Sequence, residues 1–405
     1  MVIRKISYYR VIVSLCLFMF LLSPVFGDEI SAVSFDKELP ENNIVTIQPD
    51  SLRILHNPLT GWVLYASMGV DAADFWAQYD HMYIPELGHN VSVTDYAHTL
   101  YIRASWTDFN PQEDVYGWKI DSNLRAYIEG AYQRNMRLAF RVVVDSRDKR
   151  TEFTPQFVKD AGAKGFMNKG KWSPYSDDPV FQKYYTKFVK ALAKDFNDPS
   201  KVEFIDGFGL GKWGEYHTMI YSTGDDTPKK AVFDWVTDIY SQAFDKVPVV
   251  INYHRWIGAG KDWVDDEHFA ADSEEMLEEA IKKGYSLRHD AFGMTTYYGS
   301  WERRFAKKYR NICPIIMEGG WIVKSHSYWQ DPRGYRKDSH EDVRRGEFDD
   351  SKEAHVNMMD FRFGDTESWF KDAFDLVRRF LREGGYRLYP SEISLPLEVS
   401  KKTTP

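Results

Sequence analysis

The stretch Pro314-Ile315-Ile316-Met317-Glu318-Gly319-Gly320-Trp321 is a short apolar run closed by an acid, two glycines and a tryptophan. An apolar run without polar alternation reads as a strand buried on both faces, as in a parallel sheet. Similar runs recur along the chain at Gly61–Ala66, Thr99–Ser105, Arg137–Asp145, Glu203–Leu210, Pro248–His254, Ala291–Tyr297 and Val356–Phe361, making eight with Pro314–Glu318. Amphipathic stretches separate them. Asp121 caps a run through Asn135 in which Leu124, Ile128 and Tyr132 share helical spacing. Asp178-Pro179 opens another that ends near Phe196, and further ones fall near Lys230–Phe244, Ser273–Lys283, Trp301–Tyr309 and Glu367–Arg382. Ser273, followed by Glu275 and Met276, reads as a capped start. The segment before the eighth run has no clear pattern.

Strands alternating with helices predict a parallel sheet, and eight such units predict a closed (β/α)8 TIM barrel of the α/β class. An open doubly wound sheet is the competing architecture. It lacks support, because no glycine-rich phosphate turn follows the first run. In a barrel, function gathers at the C-terminal ends of the strands. The loops expected there are uneven: Ser67–His98, Ser146–Asp177 and Gly319–Glu347 are long and rich in aromatic and charged residues.

The ends read differently. Arg4, Lys5 and Arg10 precede an apolar run from Val11 to Leu22, and Val25-Phe26-Gly27 supplies small residues for cleavage. Residues 1–27 therefore read as a signal peptide, too short for a membrane span, which predicts a secreted, periplasmic or cell-surface protein with no stable span after signal removal. A retained anchor is the alternative, and Cys16 makes a lipid-anchored form conceivable. Residues 28–55 and 387–405 read as extended segments flanking a barrel at 56–386. They could pair with each other or cap the barrel floor. Cys313 is the only cysteine beyond the leader, so no internal disulfide is expected, and its apolar setting reads as core.

Net charge is −8, and no long basic stretch occurs, which argues against a nucleic-acid partner. Aromatic residues make up 16% of the chain, and many fall in expected loops, where rings are platforms for sugar faces; packing of helices on strands is the plainer use.

Two glutamates stand out. Glu215 follows the fourth run in Gly209-Leu210-Gly211-Lys212-Trp213-Gly214-Glu215-Tyr216-His217. Gly207, Gly209, Gly211, Trp213 and Glu215 share one parity, so an inward row would leave space at the glycines and raise Trp213 and Glu215 into the mouth. Glu318 closes a buried strand, where a carboxylate needs a partner or a function. The plain alternatives are a surface-loop Glu215 and a Glu318 held by an inward arginine. Two carboxyl groups facing each other across a pocket are what glycosidic hydrolysis requires.

This arrangement resembles the superfamily of retaining (β/α)8-barrel glycosidases, among them β-galactosidases, β-mannanases and cellulases, with the acid/base after strand four and the nucleophile after strand seven. The phrase Gly211–His217 is also similar to that of secreted bacterial β-galactosidase-like barrel proteins. The resemblance covers roughly residues 55 to 385. It implies a glycoside hydrolase with Glu215 as acid/base, Glu318 as nucleophile and a carbohydrate as substrate. It further implies that Arg103, at the end of strand two, bonds the nucleophile, and that Tyr297 or Tyr298 lies beside it. The superfamily usually has Asn directly before the acid/base, where this chain has Gly214.

Other residues follow from placement. Asn252 and His254 share a face at the end of strand five and could touch substrate hydroxyls, as could Trp213 and His217; Trp321 could floor a sugar subsite. Arg141 and Asp145 could pair with each other. Arg147, Lys149, Arg150, Lys169 and Lys171 read as a solvated loop surface. No His-x-His or HExxH spacing occurs, so no metal and no cofactor is expected, and no Gly-x-Ser-x-Gly elbow supports a serine hydrolase. The competing readings are a barrel that binds carbohydrate without catalysis, which the missing Asn favours, and an inverting hydrolase with more widely spaced carboxyls.

Overall fold

The structure, a computed structural model, describes residues 42–51, 53–147, 151–260, 270–293, 297–320 and 340–396. The expected leader, Lys149, Arg150 and Trp321 lie outside the described residues. Two compact units are present. In the smaller, Asn42–Thr46 and Glu392–Pro396 pair antiparallel, from Asn42 opposite Pro396 to Thr46 opposite Glu392.

The larger unit is a closed barrel of eight parallel strands: β1 (Gly61–Tyr65), β2 (Ala97–Ser105), β3 (Arg137–Val143), β4 (Val202–Asp206), β5 (Val249–Asn252), β6 (Ser286–Phe292), β7 (Ile315–Gly319) and β8 (Met358–Asp360). Each strand pairs with its neighbour in sequence, and β8 closes onto β1. Helices follow the strands in turn: α1 (Ala72–Asp80), α2 (Ser122–Gln133), α3 (Pro179–Phe196), α4 (Lys229–Ala243), α5 (Ser273–Lys282), α6 (Ser300–Tyr309), α7 (His340–Glu353), α8 (Arg362–Asp372) and α9 (Phe374–Glu383). This is the (β/α)8 architecture.

Local chemistry explains the helix starts. The Asp121 carboxylate accepts from the Leu124 N–H, and Asp178 accepts from Val180 and Phe181 ahead of a proline. The start of α5 differs from expectation. Ser273 does not cap it; its hydroxyl donates to the Arg255 carbonyl and accepts from the Ile257 N–H.

Three boundaries depart from the sequence reading. The sixth strand runs Ser286–Phe292 instead of Ala291–Tyr297, because Arg288, His289 and Asp290 are buried within it although their charge suggests a loop. The helix expected at Glu367–Arg382 is two helices that break at Ala373. The patternless segment before strand eight contains α7, which takes up the last part of the loop expected at Gly319–Glu347.

Side-chain alternation sorts the barrel into two apolar zones and one charged zone. Outward residues pack under the helices. Trp62 is the centre of one such contact: its ring stacks on Phe361 at 4.4 Å, and its Nε1 donates to the Val377 carbonyl at 3.0 Å. Inward, Val63, Tyr65, Tyr101, Ala139, Phe204, Val250, Ile316 and Met358 fill the barrel floor. Two residues further along six of these strands stand Arg103, Arg141, Asp206, Asn252, Glu318 and Asp360, so the floor gives way to a polar layer towards the C-terminal ends.

Replacing Trp62 with Ala should cost about 3–5 kcal/mol, the range for deleting a fully buried aromatic, read by denaturant unfolding. A loss below about 1 kcal/mol would mean that this helix–barrel contact does not hold the closure of β8 on β1.

Candidate active site

Beyond β4 the chain turns tightly. Gly209 and Gly211 have φ of +71° and +74°, and a Cβ on Gly209 would stand 2.3 Å from the Val142 carbonyl oxygen. Lys212–Gly214 forms a single 3-10 turn. Trp213, Tyr216 and Thr218 also take left-handed φ of 60°, 61° and 51°, a conformation that side-chain-bearing residues adopt only where the surroundings enforce it. The strand parity expected to run from Gly207 to Glu215 therefore ends at the strand, and Glu215 is placed by this turn.

Its placement is held from both sides. The Glu215 N–H donates to the Lys212 carbonyl at 3.1 Å, and its own carbonyl accepts from His254 Nε2 at 2.8 Å. His254 Nδ1 accepts from the Trp256 N–H at 3.2 Å, which fixes the tautomer. Burial pushes the His254 imidazole down to about 3, so it is neutral. The Glu215 carboxylate, 4% exposed, faces Arg141 Nη1 at 3.3 Å, His217 Nε2 at 3.4 Å and Arg103 Nη2 at 3.6 Å, and Asp290 Oδ2 stands 4.0 Å from the same Arg141 nitrogen.

Glu318 ends β7 with 2% exposure. Its Oε2 accepts from Arg288 Nη2 at 2.7 Å and lies 3.5 Å from Arg141 Nη2. Burial alone would raise this carboxyl. The guanidiniums of Arg288, Arg141, Arg103 and Arg362 outweigh it and hold the group at about 2, ionised. One guanidinium, that of Arg141, thus touches both glutamates.

More acids lie in the same layer. Asp206 accepts from Arg141 Nε at 2.8 Å and from the Tyr101 hydroxyl. Asp360 accepts from Arg288 Nη2 at 3.0 Å and from the N–H groups of Gly319 and Arg362. Burial and then the Glu318 charge push Asp360 up to about 7, while burial and the Glu215 charge push Asp290 up to about 8. Like charges crowded in a dry interior cannot all ionise, and the protons settle on the acids with the weakest cationic support.

The expected residues are partly brought together. Glu215, Glu318, Trp213, His217, His254 and Arg103 belong to one cluster. Arg103 differs in role: it is on Glu215 and donates to the Trp213 carbonyl at 2.8 Å, and Glu318 takes Arg288 as its close partner. Trp213 is half-buried, with Lys212 Nζ 4.3 Å from its ring. Asn252 is buried at the inward end of β5, beside Arg288 in register, and its amide has no hydrogen-bond partner among the described residues. Tyr297 lies beyond β6, so it does not end a strand; its carbonyl accepts from Arg255 Nη1 at 3.4 Å. Tyr298 is in the core, its hydroxyl bonded to that of Tyr253 at 3.2 Å. The tyrosines near Glu318 are Tyr65, from β1, whose hydroxyl accepts from Arg103 at 3.3 Å, and Tyr101, from β2.

Arg141 does not pair with Asp145, which lies past the end of β3 and binds Arg147 through Nε at 2.7 Å. Arg147 is thereby buried and is not part of a solvated surface. Among the described residues no cluster of His, Cys, Asp or Glu could hold a metal ion. Burial pushes the Cys313 thiol up to about 12, so it is no nucleophile at neutral pH.

No protein-family model matches the chain, and no curated protein matches it in sequence. Solved structures do. The exo-β-1,4-mannosidase Op5Man5 from Opitutaceae bacterium strain TAV5 aligns over 80% of this chain at 13% identity and a TM-score of 0.46, and the chain spans 55% of that enzyme's length. An endoglucanase from Pseudomonas stutzeri aligns over 80% of this chain and 94% of its own at 9% identity and a TM-score of 0.45. Endo-glycoceramidase II from Rhodococcus sp. aligns over 74% of this chain and 72% of its own at 13% identity and a TM-score of 0.43.

Replacing Arg288 with Met should cost about 3–5 kcal/mol at neutral pH, because carboxylates are left buried without their cation. The sign with pH follows from Glu318. Its lowered group contributes stability above the unfolded value of 4.5, lost as pH falls through about 2. The deficit of the variant, measured by urea unfolding, should therefore shrink as pH is taken down towards 2. A deficit independent of pH would sink the ion-pair account.

Proposed function

We propose that the chain is a glycoside hydrolase with a retaining mechanism, in which Glu318 is the nucleophile and Glu215 the acid/base. The observation that carries this reading is the pair itself: two buried carboxyls from opposite sides of the barrel, gripped by one guanidinium, in unlike surroundings. Glu318 is ionised and oriented by Arg288, as attack on an anomeric carbon requires. Glu215 has a carboxyl neighbour and would protonate the departing oxygen, then take a proton from the water that releases the sugar. Arg103 and His254 are positioning residues for Glu215. The unpartnered amide of Asn252 suits a sugar hydroxyl, a task that Gly214 cannot perform.

The substrate class is a poly- or oligosaccharide. The likeness of Gly211–His217 to β-galactosidase-like barrels puts aryl β-galactosides first in a screen. The apolar run Val11–Leu22 supports export of the chain.

The test is a screen of aryl glycosides and of plant, host and microbial glycans. Glu318→Gln should lower turnover at least about a thousandfold while the protein stays folded. Glu215→Ala should slow substrates with poor leaving groups far more than activated aryl glycosides. Proton NMR of the first-formed product should show the substrate's anomeric configuration; the opposite anomer would remove the nucleophile assignment. Binding without hydrolysis on every substrate would leave a carbohydrate-binding barrel instead.

A further inference from the structure

Of the buried acids outside the two-carboxylate scheme, Asp290 is the one beside Glu215 that no arginine among the described residues holds within hydrogen-bond reach. Asp290 is on β6 at the inward position two residues beyond Arg288. Its Oδ2 is 4.0 Å from Arg141 Nη1, the same nitrogen that stands 3.3 Å from Glu215 Oε1, so the two buried carboxyls meet at one cationic nitrogen, and its Oδ1 has no hydrogen-bond partner among the described residues. Ionised carboxylates only accept hydrogen bonds and repel each other, so two carboxyls crowded at one buried cation are favoured with a single proton between them.

The groups facing Asp290 agree with that. Glu215 approaches from the loop after β4 and Glu318 from β7, and both are acids. Arg141, from β3, is the nearby cation, but it is already shared among Asp206, Glu215 and Glu318. His289, on the same strand, is pushed down to about 3, first by burial, and carries no charge. Burial, then the charge of Glu215, then that of Glu318 keep the Asp290 proton on up to about pH 8.

We propose that Asp290 is the proton store of the acid/base: with Glu215 it holds a single proton, which leaves and returns through Glu215. The assignment rests on the glycosidase reading. At rest the proton is on Asp290, donated to a Glu215 oxygen. As the glycosidic C–O bond breaks, its electron pair goes to the leaving oxygen, the Asp290 O–H breaks as a Glu215 O–H forms, and Glu215 passes that proton on. The carboxyl pair is then doubly negative beside Arg141 and Arg103. In the second half, the attacking water gives one proton to Glu215, and the pair returns to its starting state. Asp290 acts through Glu215 and touches no sugar.

The test has one arm that needs no turnover. In protein labelled with 13C at aspartate carboxyls, the wild type should show a carboxyl that is neutral at about pH 7 and is lost in Asp290→Asn. Asp360, pushed up to about 7, gives a second signal that is part neutral at that pH and persists in that variant. Glu215→Gln removes the facing charge and should let the Asp290 signal ionise at lower pH. If Asp290→Asn does not fold, Asp290→Glu serves to assign the signal. An Asp290 that titrates in the ordinary carboxylate range overturns the store even if hydrolysis is intact. In the second arm, on an activated glycoside, Asp290→Asn should move the alkaline limb of kcat/KM down by about one pH unit or more, with the acid limb fixed. An unmoved alkaline limb also overturns the proposal. Absence of turnover on every substrate defeats the glycosidase reading and leaves the titration result standing.

Discussion

Two guanidiniums at the centre of the barrel, those of Arg141 and Arg288, make the rest of the site possible. Neither is exposed to solvent. Isolated, each would cost several kcal/mol to bury, and so would each acid around them. Together they close an account in which Arg141 spans Asp206, Glu215 and Glu318, and Arg288 spans Asp206, Glu318 and Asp360. Asp206 lies between the two cations, and its part is to keep both in place. Protonation of Asp290 and Asp360 brings the remaining anions near balance with Arg103, Arg141 and Arg288. The polar layer is thus a single electrostatic unit on an apolar floor.

Most of the barrel was legible because buried parallel strands advertise themselves as apolar runs. Seven of the eight strands lie where those runs are. The sixth does not, because Arg288, His289 and Asp290 interrupt the run: Arg288 is paired with acids from other strands, and burial keeps His289 and Asp290 uncharged, which no local reading can see. The same limit moved Arg103 from Glu318 to Glu215. A face and a strand end can be inferred from alternation, but which of two acids a long side chain reaches depends on the tilt of the barrel. A usable signal existed nonetheless. Tyr101, Ala139, Phe204, Val250, Ile316 and Met358 each precede an inward polar residue by two positions, so a register fixed on the floor points to the layer above it.

Glu215 and Glu318 reach the same cluster by different routes. Glu318 is carried on a strand, where the pleat sets its direction. Glu215 is carried on a turn whose geometry no periodicity encodes. There Gly209 admits close backbone passage against β3 and Gly211 against the His217 backbone of the same turn, and Trp213, Tyr216 and Thr218 are held in a left-handed conformation that costs of order 1 kcal/mol or more each. His254 clasps the main chain of this turn, not the acid's head. Such strain persists only where surrounding structure compels it, and here the compulsion comes from β3 and β5 on either side.

The shared grip of Arg141 has a consequence for how this scaffold could change over time. Because one side chain is paired with an acid on β4, one on the turn beyond it and one on β7, no one of them can be exchanged, lengthened or neutralised without altering the electrostatic footing of the other two. The polar centre is therefore inherited as a block. Diversification is left to parts that do not answer to that guanidinium, namely the long connections above the barrel, where insertions and new side chains can redraw the approach to the centre while the centre itself stays as it is.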